Sequence, residues 1–163
     1  MPSRMEPPSS KKISVLNETE RSVRLSPLRR AVMSAFVLHG KPDAHACVLL
    51  TSDEHIRELN LQFRGIDEAT DVLTFPAGDF AGNQLGDVAI AVPYADRQAK
   101  ARKVSLQQEL GYLAIHGALH LIGLDDQSEE ERAEMVRQMN LVAVEAGLKP
   151  DLEWASLLHG ETQ

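Results

Sequence analysis

The sequence predicts an α+β fold: a single domain in which a four-stranded β-sheet packs with about five helices. Three observations predict it. Four short runs of apolar residues have the pattern of strands, and segments with helical periodicity lie among them. The chain has 163 residues, which is the length of one ordinary domain. One of the helical segments is apolar on nearly every side, so we expect it to be central and buried.

The four strands are predicted from their apolar patterns and from the residues that bound them. The first alternates apolar and polar side chains, as half-buried strands do. Pro76 ends the third, and Pro93 ends the fourth. The predicted strands are residues 12–18, 46–51, 71–75 and 86–92. Cys47 lies in the apolar run ACVLL, and we expect it to be a core residue rather than a nucleophile.

Three helices are predicted between or directly after these strands. The first has Ser26 as its N-cap, carries Pro27 in its first turn and ends before Gly40. The second is capped by Ser52 or Asp53 and ends at Arg64. The third, residues 94–102, is polar and basic.

Two capping boxes, in which a serine is followed three residues later by Gln or Glu, predict the last two helices. Ser105 with Gln108 opens the central apolar helix. Ser128 with Glu131 opens a final helix that ends at Gly147. The apolar stripe of this last helix contains Met135, Met139, Val142 and Ala146.

The ends of the chain differ in composition from its middle. We expect residues 1–10, rich in Pro and Ser, to be a flexible tail, residues 11–150 to be the single domain, and residues 151–163 to be a C-terminal extension.

The N-terminus lacks the apolar segment of a secretory signal, and no apolar run approaches the roughly 18 residues of a membrane span. A single cysteine excludes an internal disulfide and fits a cytoplasmic protein.

Charge is distributed unevenly along the chain, whose net charge is −7. Residues 1–41 contain eight Lys or Arg against three Glu, whereas residues 42–163 contain nine basic against twenty-one acidic residues. An acidic body does not favour nucleic-acid binding, so a polyanion would have to meet a local basic surface. The candidate clusters are Arg21, Arg24, Arg29 and Arg30, and then Arg97, Lys100, Arg102 and Lys103. Composition alone favours reading both clusters as solvated helix faces.

The segment HGALHLIGLDD, residues 116–126, has the spacing of a metal site. His116 and His120 are four residues apart and therefore share one face of the central helix. Gly123 can reverse the chain and return Asp126 to that face, completing a His2Asp set with a position open to water, as catalytic zinc sites have. The alternative is two histidines that face solvent, with Asp125 and Asp126 capping the next helix. The burial of the helix favours the metal site, because unpartnered buried imidazoles are costly.

Residues near the candidate metal site, and one arginine upstream, bear on which class of reaction the protein catalyses. Zinc peptidases with this histidine spacing carry Glu directly after the first histidine, as general base, whereas this chain has Gly117. Arg64 offers a planar guanidinium suited to phosphate oxygens, although a single Arg at a helix end is ordinary. Glu109, Asp87 and Asp125 are weak candidates for orienting a ligand, with helix-start or turn roles as the alternatives.

Three segments together resemble the signature blocks of the YbeY family of bacterial rRNA maturation factors. They are LNLQFRGIDEATDVLTFP (59–76), LGDVAIAV (85–92) and HGALHLIGLDD, and the similarity extends over about residues 12–147. The family pattern H-G-x-L-H-L-x-G-x-D-H matches at every fixed position except the last, where this chain has Asp126 instead of a third histidine.

The resemblance implies a single-strand-specific, metal-dependent endoribonuclease with a mixed sheet and a zinc helix that lines a cleft. It implies maturation of the 3′ end of 16S rRNA, late-stage 70S ribosome quality control, and RNA and ribosome-associated proteins as partners. His116 and His120 would bind one Zn²⁺ per chain, and Arg64 would be catalytic. Asp126 would be the third ligand, and its carboxylate could shift metal preference toward harder divalent ions.

The leading hypothesis is therefore a cytoplasmic metal-dependent endoribonuclease acting in rRNA processing. A metallopeptidase-like hydrolase is one alternative, and Gly117 is the feature against it. A non-enzymatic ribosome assembly factor with a structural metal is the other.

Overall fold

A computed structural model describes residues 12–155, so the expected tail at residues 1–10 lies outside the described residues. Within that range the fold is α+β, with four strands and five helices. The strands are β1 (Ile13–Asn17), β2 (His45–Thr51), β3 (Val72–Pro76) and β4 (Gln84–Ala91), and the helices are α1 (Ser26–Leu38), α2 (Asp53–Arg64), α3 (Val92–Arg102), α4 (Leu106–Leu121) and α5 (Glu129–Glu145). Each element lies within about two residues of its predicted range, the usual uncertainty of helix and strand ends.

The sheet is mixed, with the strand order β1-β2-β4-β3. β1, β2 and β4 run parallel, whereas β3 pairs antiparallel with β4, from Val72 opposite Ile90 to Pro76 opposite Gly86. β3 is therefore an edge strand, and a hairpin loop of residues 77–83 joins it to β4.

The two faces of the sheet bury different helices. Side chains that alternate along each strand, such as Val48 and Val88, point into the main core against α1, α4 and α5. On the opposite face, Ala89 and Leu73 pack with Ile56 of α2 in a second, smaller cluster. α4 is buried along most of its length, which confirms its predicted central position.

Two glycines allow the sheet and α4 to approach each other closely. A Cβ atom at Gly117 of α4 would lie 2.6 Å from Cγ1 of Val88. Gly86 of β4 has a φ of +141°, and a Cβ atom there would lie 2.3 Å from the carbonyl oxygen of Phe75 and 3.0 Å from Cδ2 of Leu121. These contacts place the second half of α4 against the β3–β4 hairpin.

The start of α1 differs from the prediction, because Ser26 is not its N-cap. Leu25 occupies that position with a helical backbone, and no side chain caps the helix. The Leu25 carbonyl accepts hydrogen bonds from the amides of Leu28 and Arg29, and its side chain is buried in the main core. Core packing therefore extends the first turn back by one residue. Pro27 lies in the first turn, as predicted.

The capping boxes of α4 and α5 have different outcomes. At α5, Ser128 and Glu131 make both reciprocal hydrogen bonds, which confirms the box. At α4, Ser105 accepts a hydrogen bond from the Gln108 amide, but the Gln108 side chain donates to the carbonyl of Lys149 instead of reaching back. The predicted box at α4 is therefore only half formed, because Gln108 anchors the segment that follows α5.

That segment packs onto the domain. Residues 151–155, the described part of the expected C-terminal extension, include Trp154, which is 5% exposed and belongs to the main core. Among residues 12–155 we find no helix with the length and apolar character that crossing a bilayer requires.

Candidate metal centre

The periodicity of α4 brings His116 and His120 together on one side of the helix. Their rings meet edge to face, with centroids 4.6 Å apart and an interplanar angle of 80°. The two Nε2 atoms lie 3.1 Å from each other. Both imidazoles thus present the same nitrogen to one point, as two ligands of a single ion do.

The chain reverses directly after α4 and returns to this point. Gly123 has a φ of +103°, a conformation that favours glycine, and its amide donates to the carbonyl of His120. Oδ2 of Asp126 then lies 3.3 Å from Nε2 of His120 and 3.4 Å from Nε2 of His116. Arg132 of α5 holds this loop by donating to the backbone carbonyls of Asp126 and Gln127.

The three ligand atoms fit a divalent ion such as zinc. A tetrahedral ion with ligands at about 2.0–2.1 Å holds them about 3.3–3.4 Å apart. The observed separations of 3.1, 3.3 and 3.4 Å are close to those of one triangular face of such a tetrahedron. The side chains of His116, His120 and Asp126 are 12%, 23% and 27% exposed, so the site is partly open to solvent.

The electrostatics of the cluster favour a bound cation. Hydrogen bonds from His116 and then from His120 hold the pKa of the Asp126 carboxyl well below its usual range, so it is ionised. Burial lowers the pKa of His120, but the hydrogen bond and the charge of Asp126 outweigh burial and raise it. The Asp126 carboxylate therefore places a negative charge between the two imidazoles. A divalent ion bound there would take the place of the imidazole protons that now face this charge.

Glu109, a candidate for orienting a ligand, acts on a different neighbour. Its carboxylate is fully buried and accepts hydrogen bonds from Gln98 at 3.0 Å, Arg102 at 2.7 Å and the Trp154 indole at 3.1 Å. Burial raises the pKa of Glu109, while the charge of Arg102 opposes the rise. The link from Glu109 to the metal site runs through Trp154, whose ring centroid lies 5.2 Å from that of His116.

The structure places Asp125 and Asp87 away from the ligand triangle. Asp125 is exposed, and its carboxylate accepts a hydrogen bond from the Asp126 amide, so it shapes the turn. Asp87 alternates with Val88 along β4 and therefore points to the face of the sheet opposite α4.

On that face Asp87 lies beside Cys47, and burial followed by the charge of Asp87 raises the pKa of the Cys47 thiol. Cys47 is thus a poor nucleophile, partly buried on the α2 side rather than in the main core.

Arg64 is the last residue of α2 and is exposed to solvent. Its neighbour Phe63 packs edge to face on Phe75 of β3, with ring centroids 5.2 Å apart. Phe75 is one residue from Pro76, which pairs with Gly86 beside the second half of α4. Arg64 and the histidines therefore lie at the same end of the sheet, on opposite sides of the edge strand β3.

Several other candidate cations for a polyanion are already paired with acidic side chains. Arg21 and Lys100 both contact Asp96, and Arg97 contacts Asp53. Arg102 is 10% exposed between Glu109 and Asp151. Within residues 12–155, by contrast, the Arg64 side chain has no hydrogen bond or ion pair with another residue. Arg64 is thus available to an anionic ligand.

The sequence analysis did not predict the roles of two residues at this site. Trp154 lies outside the motif blocks and 38 positions after His116, and the one available signal was that it is the only tryptophan in the chain. Gly86 lies in the LGD block, but its role in the approach of the hairpin to α4 depends on contacts that no local pattern shows.

Comparisons with known proteins identify similar endoribonucleases. The family model described as endoribonuclease YbeY matches residues 13–146. The endoribonuclease YbeY of Desulforamulus reducens is 43% identical over 102 residues, which cover 58% of this chain and 67% of the relative. That of Rhodopseudomonas palustris is 42% identical over 114 residues, covering 66% of this chain and 60% of the relative. The matches thus span about three fifths to two thirds of these relatives' lengths.

A solved structure is similar as well. The solution structure of a Thermotoga maritima protein is similar with a TM-score of 0.59 and 31% identity, covering 82% of this chain and 90% of that one. The family match extends over most of the chain and includes α4, the turn at Gly123 and Asp126. The chain belongs to the endoribonuclease YbeY family.

Proposed function

We propose that this protein is a metal-dependent endoribonuclease that cleaves single-stranded RNA at the site formed by His116, His120 and Asp126. The observation that carries the proposal is the ligand triangle, whose edges of 3.1–3.4 Å suit one divalent ion. Family membership supplies the substrate class, because the matching relatives are named endoribonucleases.

The residues of the site have separate roles in this proposal. Zinc bound there would lower the pKa of water and polarise a phosphate oxygen. His116, His120 and Asp126 hold the ion, and Arg64 binds the phosphoryl oxygens of the RNA with its unpaired guanidinium. Gly117 faces Val88 of the sheet, so the general-base position of zinc peptidases is filled by packing instead of a carboxylate. The chain thus lacks the general base of zinc peptidases, which argues against peptide cleavage.

The biological setting is proposed from the family. The RNA is the small-subunit rRNA, and the reaction is maturation of the 3′ end of 16S rRNA together with late-stage quality control of the 70S ribosome. The partners are the small ribosomal subunit and ribosome-associated proteins, in the cytoplasm. The metal is zinc, one ion per chain, and Asp126 broadens the choice toward other divalent ions because a carboxylate is a harder ligand than imidazole.

A cleavage assay with three substrates tests the activity. Protein purified without a histidine tag is incubated with a labelled single-stranded RNA, the same sequence as a duplex, and an unstructured peptide. We expect cleavage of the single strand alone and its loss in His116→Ala. His45→Ala is the matched control, because His45 is exposed and outside the ligand triangle. Cleavage of the peptide, or RNA cleavage that His116→Ala leaves unchanged, would overturn the proposal.

A further inference from the structure

The C-terminal segment places the only tryptophan of the chain against a metal ligand. Trp154 is 5% exposed, and its ring centroid lies 5.2 Å from that of His116 at an interplanar angle of 42°. It also stacks with Tyr112, which lies one helical turn earlier on α4, with ring centroids 6.4 Å apart and an interplanar angle of 23°. The indole is thus packed against two rings of α4, and one of them is the imidazole of the candidate site.

A buried polar network fixes the orientation of this indole. Its Nε1–H donates to Oε2 of Glu109, a carboxylate with no exposed surface. The same carboxylate accepts from Gln98 and Arg102 of α3. Arg102 also pairs with Asp151, so the network binds the segment on both sides of its turn.

The backbone of the segment is anchored independently of the indole. The amide of Asp151 donates to Asn140 at 2.6 Å, and Asn140 returns a bond to the Asp151 carbonyl. Tyr112 and Gln108 of α4 both donate to the carbonyl of Lys149. The position of Trp154 relative to α4 is therefore set by at least four hydrogen bonds that do not involve its own ring.

The ring of His116 needs a packing contact to fix its orientation, because its second nitrogen makes no hydrogen bond among the described residues. Metal-binding histidines usually donate their other ring N–H to a carboxylate or carbonyl, which fixes the ring. Nδ1 of His116 is buried and has no hydrogen-bond partner among the described residues. Among the described residues, the tilted ring of Trp154 is the aromatic contact that His116 makes outside the ligand triangle, and it lies where it can hold the imidazole with Nε2 toward the site.

We propose that Trp154, oriented by Glu109, is a positioning residue that holds His116 in its metal-binding orientation. The proposal rests on the metal site proposed above and assigns a role to a segment beyond the family match, which ends at residue 146. In this chain, metal affinity thus depends on residues 149–154 as well as on the HGALHLIGLDD motif.

Tryptophan fluorescence provides the first test. Since Trp154 is the single tryptophan, its emission reports on this site alone. Metal-free protein is titrated with Co²⁺, whose open d shell quenches a nearby indole, and binding is followed in parallel by calorimetry. We expect saturable quenching that ends at about one ion per chain and is reversed by Zn²⁺, which does not quench. Co²⁺ binding that leaves the emission unchanged would contradict the proximity on which the inference rests.

Variants provide the second test, read from Co²⁺ affinity and its visible absorption band. Loss of supporting contacts typically weakens metal binding about 10–100-fold, so we expect about tenfold for Trp154→Ala and a smaller loss for Trp154→Phe, which keeps a ring. The band should shift in both, since the His116 ring turns. Leu152→Ala is the control, because Leu152 is in the same segment but 74% exposed.

The outcomes separate this inference from the metal site itself. If Trp154→Ala does not fold, Trp154→Phe decides. Affinity and absorption equal to wild type in the folded variant would overturn the role of Trp154 while leaving the site intact. An absence of Co²⁺ binding to the wild-type protein would overturn the metal site and this inference together.

Discussion

Gly117 of α4 lies directly against Val88 of β4, so a Cβ atom added at Gly117 would come within 2.6 Å of Cγ1 and 3.0 Å of Cγ2. The residue after the first histidine therefore faces the sheet and not the ligand triangle. A glutamate there would have no room. The sequence shows only that Gly117 stands where zinc peptidases have a glutamate. The close packing of α4 on a central strand explains why no larger residue is there.

Replacing this glycine should destabilise the protein although alanine is the better helix former. We expect Gly117→Ala to lower the free energy of unfolding by about 1–3 kcal/mol, because Val88 is fully buried and overpacking outweighs the roughly 1 kcal/mol gained in helix propensity. Urea unfolding of the metal-free protein measures the change.

Gly111→Ala is the matched control in the same helix. A Cβ atom there meets Cδ1 of Leu148 at 2.8 Å, the end of a flexible side chain that can move aside. We expect this variant to be nearly as stable as the wild type. Equal losses in the two variants would mean that the contact with Val88 is not the cause.

Asp126 is the residue at which this chain departs from the family pattern, and substituting it tests its role as a ligand. Asp126→Ala should weaken zinc binding by more than the ~10–100-fold typical of a supporting contact, whereas Asp126→His should keep it. Calorimetry on tag-free, metal-free protein gives both affinities. If neither variant changes the affinity, Asp126 is not a ligand.

Glu18 should make stability depend on pH. Burial raises the pKa of Glu18, but hydrogen bonds from Thr51 and His55 outweigh burial and lower it below its ordinary value of 4.5. A carboxyl with a lowered pKa contributes stability that is present above the unfolded-state pKa and is lost as pH falls through the folded-state pKa.

We therefore expect Glu18→Gln to cost roughly 1 kcal/mol at about pH 7, a small value because the side chain is 39% exposed. The difference from wild type should shrink as pH falls below about 4.5 and vanish once pH is below the folded-state pKa of Glu18, where both side chains are neutral. Urea unfolding over a series of pH values measures it. A difference that does not change with pH would assign the effect to packing and not to the charge.

Arg64 should affect cleavage without affecting metal binding. Loss of one donor to a transition-state oxyanion costs roughly a hundredfold in rate, so we expect a loss of this order for Arg64→Ala and partial activity for Arg64→Lys. Arg57→Ala is the control, since Arg57 is on the same helix but is paired with Asp67. Full RNA cleavage by Arg64→Ala would remove Arg64 from the site, and loss of zinc would give it a structural role.

Local patterns predicted the features that depend on local contacts. Alternating or continuous apolar runs located all four strands, and the box of Ser128 and Glu131 located the start of α5, because these signals act within a few residues. The turn at Gly123 and the return of Asp126 were predictable for the same reason. Three candidate ligands within eleven residues are close in space once the helix and its end are known.

Features that depend on contacts between distant segments were not predictable. Leu25 replaces Ser26 at the start of α1 because it packs into a core assembled from the whole chain. The Gln108 side chain donates to the carbonyl of Lys149, 41 residues away, instead of completing the capping box. The Trp154 indole donates to Glu109 across 45 residues. Such pairings follow from the fold and have no spacing that a local pattern could register.

Restoration of RNA cleavage by zinc is the decisive test for a catalytic ion at this site. Tag-free protein is stripped of metal with a chelator and then titrated with Zn²⁺ while the cleavage of a single-stranded RNA is followed. We predict no cleavage before addition, full activity at about one ion per chain, and no restoration in His120→Ala. Cleavage by the stripped protein, or equal restoration in His120→Ala, would contradict a catalytic ion held by His116, His120 and Asp126.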